Sequence, residues 1–370
     1  MAGIYIHIPF CRKLCGYCDF FKSISLAKKE QVLDAIGLEL QHEIEFLGKT
    51  ELTSIYIGGG TPSVCSPGEL QKLFDLLATI RPWKTGSEIT LEANPDDLSP
   101  AYLKALRTTP INRLSIGIQS LHDDELRFMN RRHTATEAIR AVKEAQDAGF
   151  EDLSIDLIYG IPVSDTTRWE NTLERALALD ATHISAYHLT IEPHTLFGRK
   201  QAAGELTAVD ETVSEKQYAL LHDKLTEAGY EHYEISNFAR PGYRARHNSA
   251  YWHGAPYLGV GPSAHSYDGS RRRRWSDASL GRYLAGPAYT EETLTDDDLY
   301  NEFIMTRLRC AEGIDPRELE VRFGACKLQR FLHSIQRFVE TDTMRIHNGN
   351  YAIPPERFLL SDAIIAELFV

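Results

Sequence analysis

The chain has 370 residues, a formal net charge of -12 and 43% hydrophobic residues, so it can bury a sizeable core as one barrel plus a small appendage, and default disorder is excluded. The acidic balance argues against a nucleic-acid partner, because a phosphate-tracking surface is basic and the one dense basic run, Arg271 to Arg274, is local. No stretch approaches the ~18 apolar residues of a membrane span, Met1 to Phe10 lacks the parts of a secretory signal, and the six cysteines do not form a disulfide framework, so a reducing cytoplasm is expected.

In chain order, β-branched and aromatic runs predict strands over Gly3–Ile8, Leu52–Ile57, Glu88–Glu92, Arg113–Ile118, Leu153–Ile158 and His183–Leu189. Amphipathic stretches lie between them, clearest where Leu33, Ile36, Leu40, Ile44 and Leu47 recur at helical spacing. Six βα units predict an α/β fold, a partial (β/α)6 TIM-like barrel, over residues 1–193. A barrel-associated extension is expected over 194–290. It opens with a helix over Val209–Gly229, and its Gly-, Pro- and aromatic-rich part from Pro241 to Gly269 reads as an irregular ligand-contacting loop. The acidic stretch Glu291 to Asp298 marks a boundary. Beyond it, helical patterns around Leu299–Leu308 and Leu328–Val339 and an Asn348-Gly349 turn predict a small helical, winged-helix-like domain over 291–370.

Three of the cysteines fall within eight residues, Cys11-Arg-Lys-Leu-Cys15-Gly-Tyr-Cys18, directly after the first strand. Three thiolates can hold an iron–sulfur cubane and leave its fourth iron open to a small molecule. At this spacing the alternative is a zinc ion completed by His7 or a remote residue. Cys65, Cys310 and Cys326 read as buried small hydrophobes. Polar residues also collect at the carboxyl ends of the predicted strands, where barrels bind ligands: Gly58-Gly59-Gly60-Thr61-Pro62, Glu92, Gln119, Asp156 and Thr190, with Arg131 just beyond the fourth strand. Singly, each reads equally well as a turn, cap or ion pair.

The C-x3-C-x2-C spacing, Tyr5 six residues before Cys11, Tyr17 just before Cys18 and the Gly58–Pro62 run together resemble the radical S-adenosylmethionine superfamily. The resemblance implies a [4Fe–4S] cluster on Cys11, Cys15 and Cys18, with the amino and carboxylate groups of S-adenosylmethionine on the open iron. In that superfamily the cluster reduces the sulfonium and releases a 5′-deoxyadenosyl radical. Glu92, Gln119, Arg131 and Asp156 match cofactor-contacting positions, and Tyr5, Tyr17, Gly60, Thr61, Pro62 and Thr190 are expected beside them. Carboxylates suit ribose hydroxyls and an arginine suits the methionine carboxylate.

Over nearly the whole chain, Tyr5-Ile-His-Ile-Pro-Phe-Cys11 and Ile155-Asp-Leu-Ile-Tyr-Gly-Ile-Pro162 resemble the oxygen-independent coproporphyrinogen III oxidase-like group. Its dehydrogenase branch carries Cys-x-Cys at the third cluster cysteine and a long segment ahead of the cluster, whereas this chain has Cys18-Asp19-Phe20 and a short lead-in. His247-Asn248-Ser249-Ala250-Tyr251-Trp252 is similar to the H-N-x-x-Y-W motif of the HemW-type haem chaperones. That resemblance implies a protein that takes haem and passes it to an acceptor protein, with His247, Tyr251 and Trp252 at the haem and His253 and His265 as weaker ligand candidates. Arg271 to Arg274 read either as partners of haem propionates or, more simply, as a solvated basic loop. The rival expectation is the dehydrogenase, which oxidatively decarboxylates coproporphyrinogen III. A third is a radical enzyme acting on another tetrapyrrole. Whether the S-adenosylmethionine is cleaved or gates haem transfer, and whether the chain forms a homodimer, stay open at this point.

Overall fold

The computed structural model describes residues 1–370. Six parallel strands form its centre: β1 (Ala2–Ile8), β2 (Leu52–Gly59), β3 (Glu88–Ala93), β4 (Arg113–Gln119), β5 (Asp152–Tyr159) and β6 (His183–His188), paired in that order. Each lies within two residues of its expected span. The reason is burial on both faces, which writes parallel strands as near-continuous apolar runs: Ile4, Ile6, Ile8, Ile55, Ile57, Leu114, Ile116 and Ile118 are all buried. Helices Lys29–Glu43, Pro67–Ile80, Ala135–Asp147 and Thr166–Leu177 cover the outer face, the second and third opened by capping boxes at Ser66/Glu69 and Thr134/Glu137. The result is an α/β partial barrel that does not close on itself.

The extension differs from the expected irregular loop. After helix Glu211–Glu227, β7 (Glu231–Glu234) and β8 (Asn237–Ala239) attach antiparallel beyond β6, while β9 (Tyr257–Val260) pairs parallel to β1 on the opposite edge. β10 (His265–Tyr267), β11 (Arg272–Ser276) and β12 (Tyr289–Thr293) continue the sheet outward, giving twelve strands in the order β12-β11-β10-β9-β1-β2-β3-β4-β5-β6-β8-β7. Three residues of the arginine run, Arg272 to Arg274, therefore lie in a strand rather than in a solvated loop. Arg271 pairs with Asp296, Arg272 with Glu291 and Arg273 with Glu302, and the buried Arg274 pairs with Glu43 while lying over Phe46 and Tyr289. Such strands are short and carry charge on their side chains, so neither alternation nor apolar content announces them. Buried Glu39 ties this edge to helix Lys29–Glu43, accepting from Tyr283, Tyr289 and the Gly261 amide.

The C-terminal part comprises helix Asp296–Leu308, a helical run Pro316–Glu340 broken at Gly324, the hairpin β13 (Arg345–His347) and β14 (Asn350–Ala352), and a last helix Ser361–Leu368. At Gly324 the φ of 85° is one that a side chain disfavours, so glycine is what allows the break. Cys65 and Cys310 are buried as expected; Cys326, on the outer face of that run, is exposed. No helix is long and apolar enough to cross a membrane.

Candidate functional site

The cysteine loop leaves the carboxyl end of β1 and is pinned from both sides. Gly16 donates to the Met129 carbonyl (3.1 Å) and accepts from the Phe197 amide (2.9 Å), and Asn130 Nδ2 donates to the Leu14 carbonyl at 2.6 Å. Thr61 Oγ1 donates to Cys11 Sγ and Arg131 Nη1 to Cys15 Sγ, both at 3.4 Å. These donors suit sulfur that carries negative charge, as a cluster thiolate does. Without such a partner, burial pushes the Cys11 thiol up to about 11, a rise that the Thr61 bond offsets in part. The glycine run completes the cradle: a Cβ on Gly60 would stand 2.9 Å from the Phe10 carbonyl oxygen and 3.0 Å from Cys11 Sγ. Pro62 opens the 3-10 turn Pro62–Val64 behind it. Tyr17 packs with the apolar cluster around Leu126 and Phe197.

Glu92, Gln119, Arg131 and Asp156 converge on this same end of the sheet. Glu92 accepts from Tyr56 Oη (2.8 Å) and the Gly59 amide (3.0 Å). Burial above all, and then Asp156, pushes its carboxyl up to about 7 against those two bonds. Asp156 sits opposite Gly117 in the β4–β5 register and accepts from Ser115 Oγ at 3.1 and 3.2 Å; burial raises its carboxyl as well. Arg131 donates through Nη2 to Asn94 Oδ1 (2.7 Å) and the Gly117 carbonyl (2.6 Å), while its buried Nε has no partner. Gln119 ends β4 at a bulge with φ 63°, a left-handed conformation that costs a non-glycine residue about 1 kcal/mol or more and is kept where a site requires it. Thr190 follows β6 and is exposed. Sequence reasoning missed Tyr56, Asn94 and Ser115, which orient these groups. Period-2 alternation would have pointed to Asn94, two residues after Glu92.

A concavity of about 650 Å³ opens beside β1, between the segment after the third cysteine and the C-terminal helices. Phe20, Phe21, Tyr251, Trp252, Tyr257 and Phe303 give it aromatic walls, and Arg273, Arg307 and Arg322 stand along it with Glu302. Its volume falls within the ~300–1,000 Å³ of small-molecule and cofactor sites. Tyr5 and His7 line it from the barrel side. Of the motif residues, Tyr251 and Trp252 face this space but His247 does not. His247 is 2% exposed, its Nδ1 is 2.9 Å from Ser54 Oγ and its Nε2 is 2.8 Å from Tyr251 Oη, and burial drives its imidazole down to about 3. Its ring stacks on Tyr56 at 5.2 Å, and its amide donates to Glu88. In this geometry neither nitrogen is open to an iron. His247 instead links Tyr56, and through it Glu92, to the cavity wall at Tyr251. His253 and His265 do line the cavity. The three cysteines are not part of any set of three His, Cys, Asp or Glu side chains close enough to share a single metal ion.

The model of the radical SAM superfamily matches residues 5–176, and that of the HemN C-terminal domain matches residues 294–360. The chain is 34% identical over 362 residues to the heme chaperone HemW of Bacillus subtilis (strain 168), covering 95% of this chain and 94% of that one. It is 34% identical over 339 residues to the heme chaperone HemW of Escherichia coli (strain K12), covering 88% and 87%. Among solved structures, the radical SAM enzyme coproporphyrinogen III oxidase (HemN) from Escherichia coli superposes with a TM-score of 0.85 at 23% identity, over 100% of this chain and 90% of that one. That likeness is one of fold. On the sequence relationship, the chain belongs to the radical SAM superfamily and, within it, to the HemW family.

Proposed function

We propose that this protein is a cytoplasmic haem chaperone that takes haem into the aromatic cavity beside β1 and hands it to an acceptor protein. A [4Fe–4S] cluster on Cys11, Cys15 and Cys18 would stand at the neighbouring strand ends. There Glu92, Gln119, Arg131 and Asp156 would hold S-adenosylmethionine beside the cluster loop. When bound, the cluster supplies an electron beside the sulfonium. The chain's own part is to place a guanidinium toward the methionine carboxylate through Arg131 and carboxylates toward the ribose hydroxyls.

The observation that carries the haem reading is the cavity's composition. Eight aromatic side chains, Tyr5 and Tyr267 among them, offer flat apolar area to a macrocycle, three guanidiniums offer donors to its carboxylates, and Tyr251 and Trp252 of the H-N-x-x-Y-W motif form part of the wall. Each guanidinium is already engaged: Arg273 with Glu302, and Arg307 and Arg322 with Glu318. A guanidinium has five N–H donors, so one ion pair leaves others for a propionate. Against the dehydrogenase alternative, Phe20 stands where that branch carries a cysteine.

The test is to incubate anaerobically reconstituted protein with haem in one vessel and coproporphyrinogen III in another. One haem bound per chain with no decarboxylated product supports the chaperone. Product without haem binding replaces it with the enzyme.

A further inference from the structure

An iron-bound histidine needs one ring nitrogen with a free lone pair, and its ring is characteristically fixed by donating the other N–H to a carbonyl or carboxylate. The four imidazoles in or behind the cavity differ in this respect. His7 Nε2 lies 3.0 Å from the Phe21 carbonyl, which can only accept, so Nε2 carries the proton and Nδ1 accepts from Tyr5 Oη at 3.1 Å. Both its nitrogens are spent. So are those of His247, on Ser54 and Tyr251. His265 is exposed and is oriented by stacking on Trp275, with ring centroids 5.5 Å apart. His253 is exposed as well, but it alone combines the two requirements. Its Nδ1 is 2.7 Å from the Ser249 carbonyl oxygen, so Nδ1 carries the proton and the lone pair is on Nε2, which has no protein partner while the residue lines the cavity.

We infer that His253 is the axial ligand through which this chain holds the haem iron, its Nε2 presented to the cavity by the Ser249 carbonyl; this rests on the haem reading above. The backbone favours the arrangement. His253 caps the C-terminus of helix Arg246–Trp252, and its own amide donates to the same Ser249 oxygen at 3.1 Å. Ring and main chain are thus anchored at one point. Gly254 then turns the chain away at φ 66°, so the imidazole stands clear of the segment that follows. On this account the histidine of the H-N-x-x-Y-W motif is a positioning residue: it holds Tyr251, and the residue just after the motif ligates the iron.

The test uses the full-length, anaerobically reconstituted protein in its oxidised state, titrated with ferric haem. The readouts are the haem stoichiometry, the Soret band and the ferric-haem electron paramagnetic resonance. The wild type, His253→Ala, His265→Ala and His247→Ala are compared, with iron and sulfide contents confirming that each variant is intact. His253→Ala should lose the nitrogen-ligand signature and bind haem more weakly, and added imidazole should restore the signature. His265→Ala should keep the wild-type spectrum, and His247→Ala should keep the ligand signature on whatever haem it binds. Wild-type binding with an unchanged spectrum in His253→Ala overturns the ligand assignment and leaves the haem reading standing. Loss of the signature in His265→Ala moves the ligand there. Absence of haem binding by the wild type overturns the haem reading itself.

Discussion

The cofactor face and the aromatic cavity lie side by side along β1, yet they are built in different ways. The face is assembled from the ends of consecutive parallel strands and the loops that leave them, so each contributing residue occupies a predictable place in its βα unit. The cavity draws Phe20 from the cysteine segment, Trp252 and Arg273 from the extension and Arg322 from the C-terminal helices. No local pattern joins these residues. The face is tightly bonded within the chain, through Arg131, Tyr56 and Thr61. The cavity is open and holds one imidazole, His253, that is anchored through one ring nitrogen and unspent at the other. A rigid site beside an accessible one is the arrangement expected where one ligand stays and another passes through.

The largest effect that separates the two regions is loss of the cluster. Cys11→Ala, Cys15→Ala or Cys18→Ala should abolish the four irons and four sulfides per chain expected of a [4Fe–4S] protein after anaerobic reconstitution, whereas Cys65→Ala, Cys310→Ala and Cys326→Ala should retain them. Zinc without acid-labile sulfide in the wild type would break the comparison at its first term. Gly60→Ala should also lower iron content, because its methyl would press on the Phe10 carbonyl and Cys11 Sγ. Next comes Arg131→Met, which leaves the Gly117 carbonyl and Asn94 Oδ1 without their donor. It should lower unfolding stability by about 2–4 kcal/mol, read from the denaturant midpoint, and weaken S-adenosylmethionine binding.

His247 lies where the two regions meet, and its pH signature is specific. Its folded imidazole titrates near 3, below the value of about 6.5 in the unfolded chain. The unfolded state therefore takes up the proton first as pH falls, and the stability His247 confers is full at neutral pH and lost below about pH 6.5. His247→Asn should be less stable than the wild type at pH 7. The difference should shrink by about 1.4 kcal/mol per pH unit between about pH 6 and pH 4. A pH-independent difference in urea unfolding would mean that the imidazole is not buried neutral. The smallest effect belongs to the arginine strand: Arg271→Ala removes an exposed pair and should change stability by about 0–1 kcal/mol, against about 3 kcal/mol for the buried Arg274→Ala.

Legibility in the sequence follows the same division. β1 to β6 are readable because two-sided burial demands uninterrupted Ile, Leu and Val, and the cysteine loop because its spacing is short and particular. The convergence of Glu92, Gln119 and Asp156 follows from their shared place at strand ends. β7 to β12 were hidden, since three- to five-residue strands such as Arg272–Ser276 take their stability from ion pairs and edge hydrogen bonds rather than from apolar content. His247 illustrates a different limit. Its motif marks a segment that reaches the cavity at Tyr251 and Trp252, but whether an imidazole faces a cavity or the core depends on Ser54 and Tyr56, nearly two hundred residues away in sequence.

The most direct test of the division into two sites is haem titration of an Ala255→Trp variant, in which the added indole occupies the aromatic cavity beside His253. Stoichiometric haem binding should be lost while the iron and sulfide contents stay at the wild-type level. Haem bound with wild-type affinity and spectrum in the filled cavity would contradict the account.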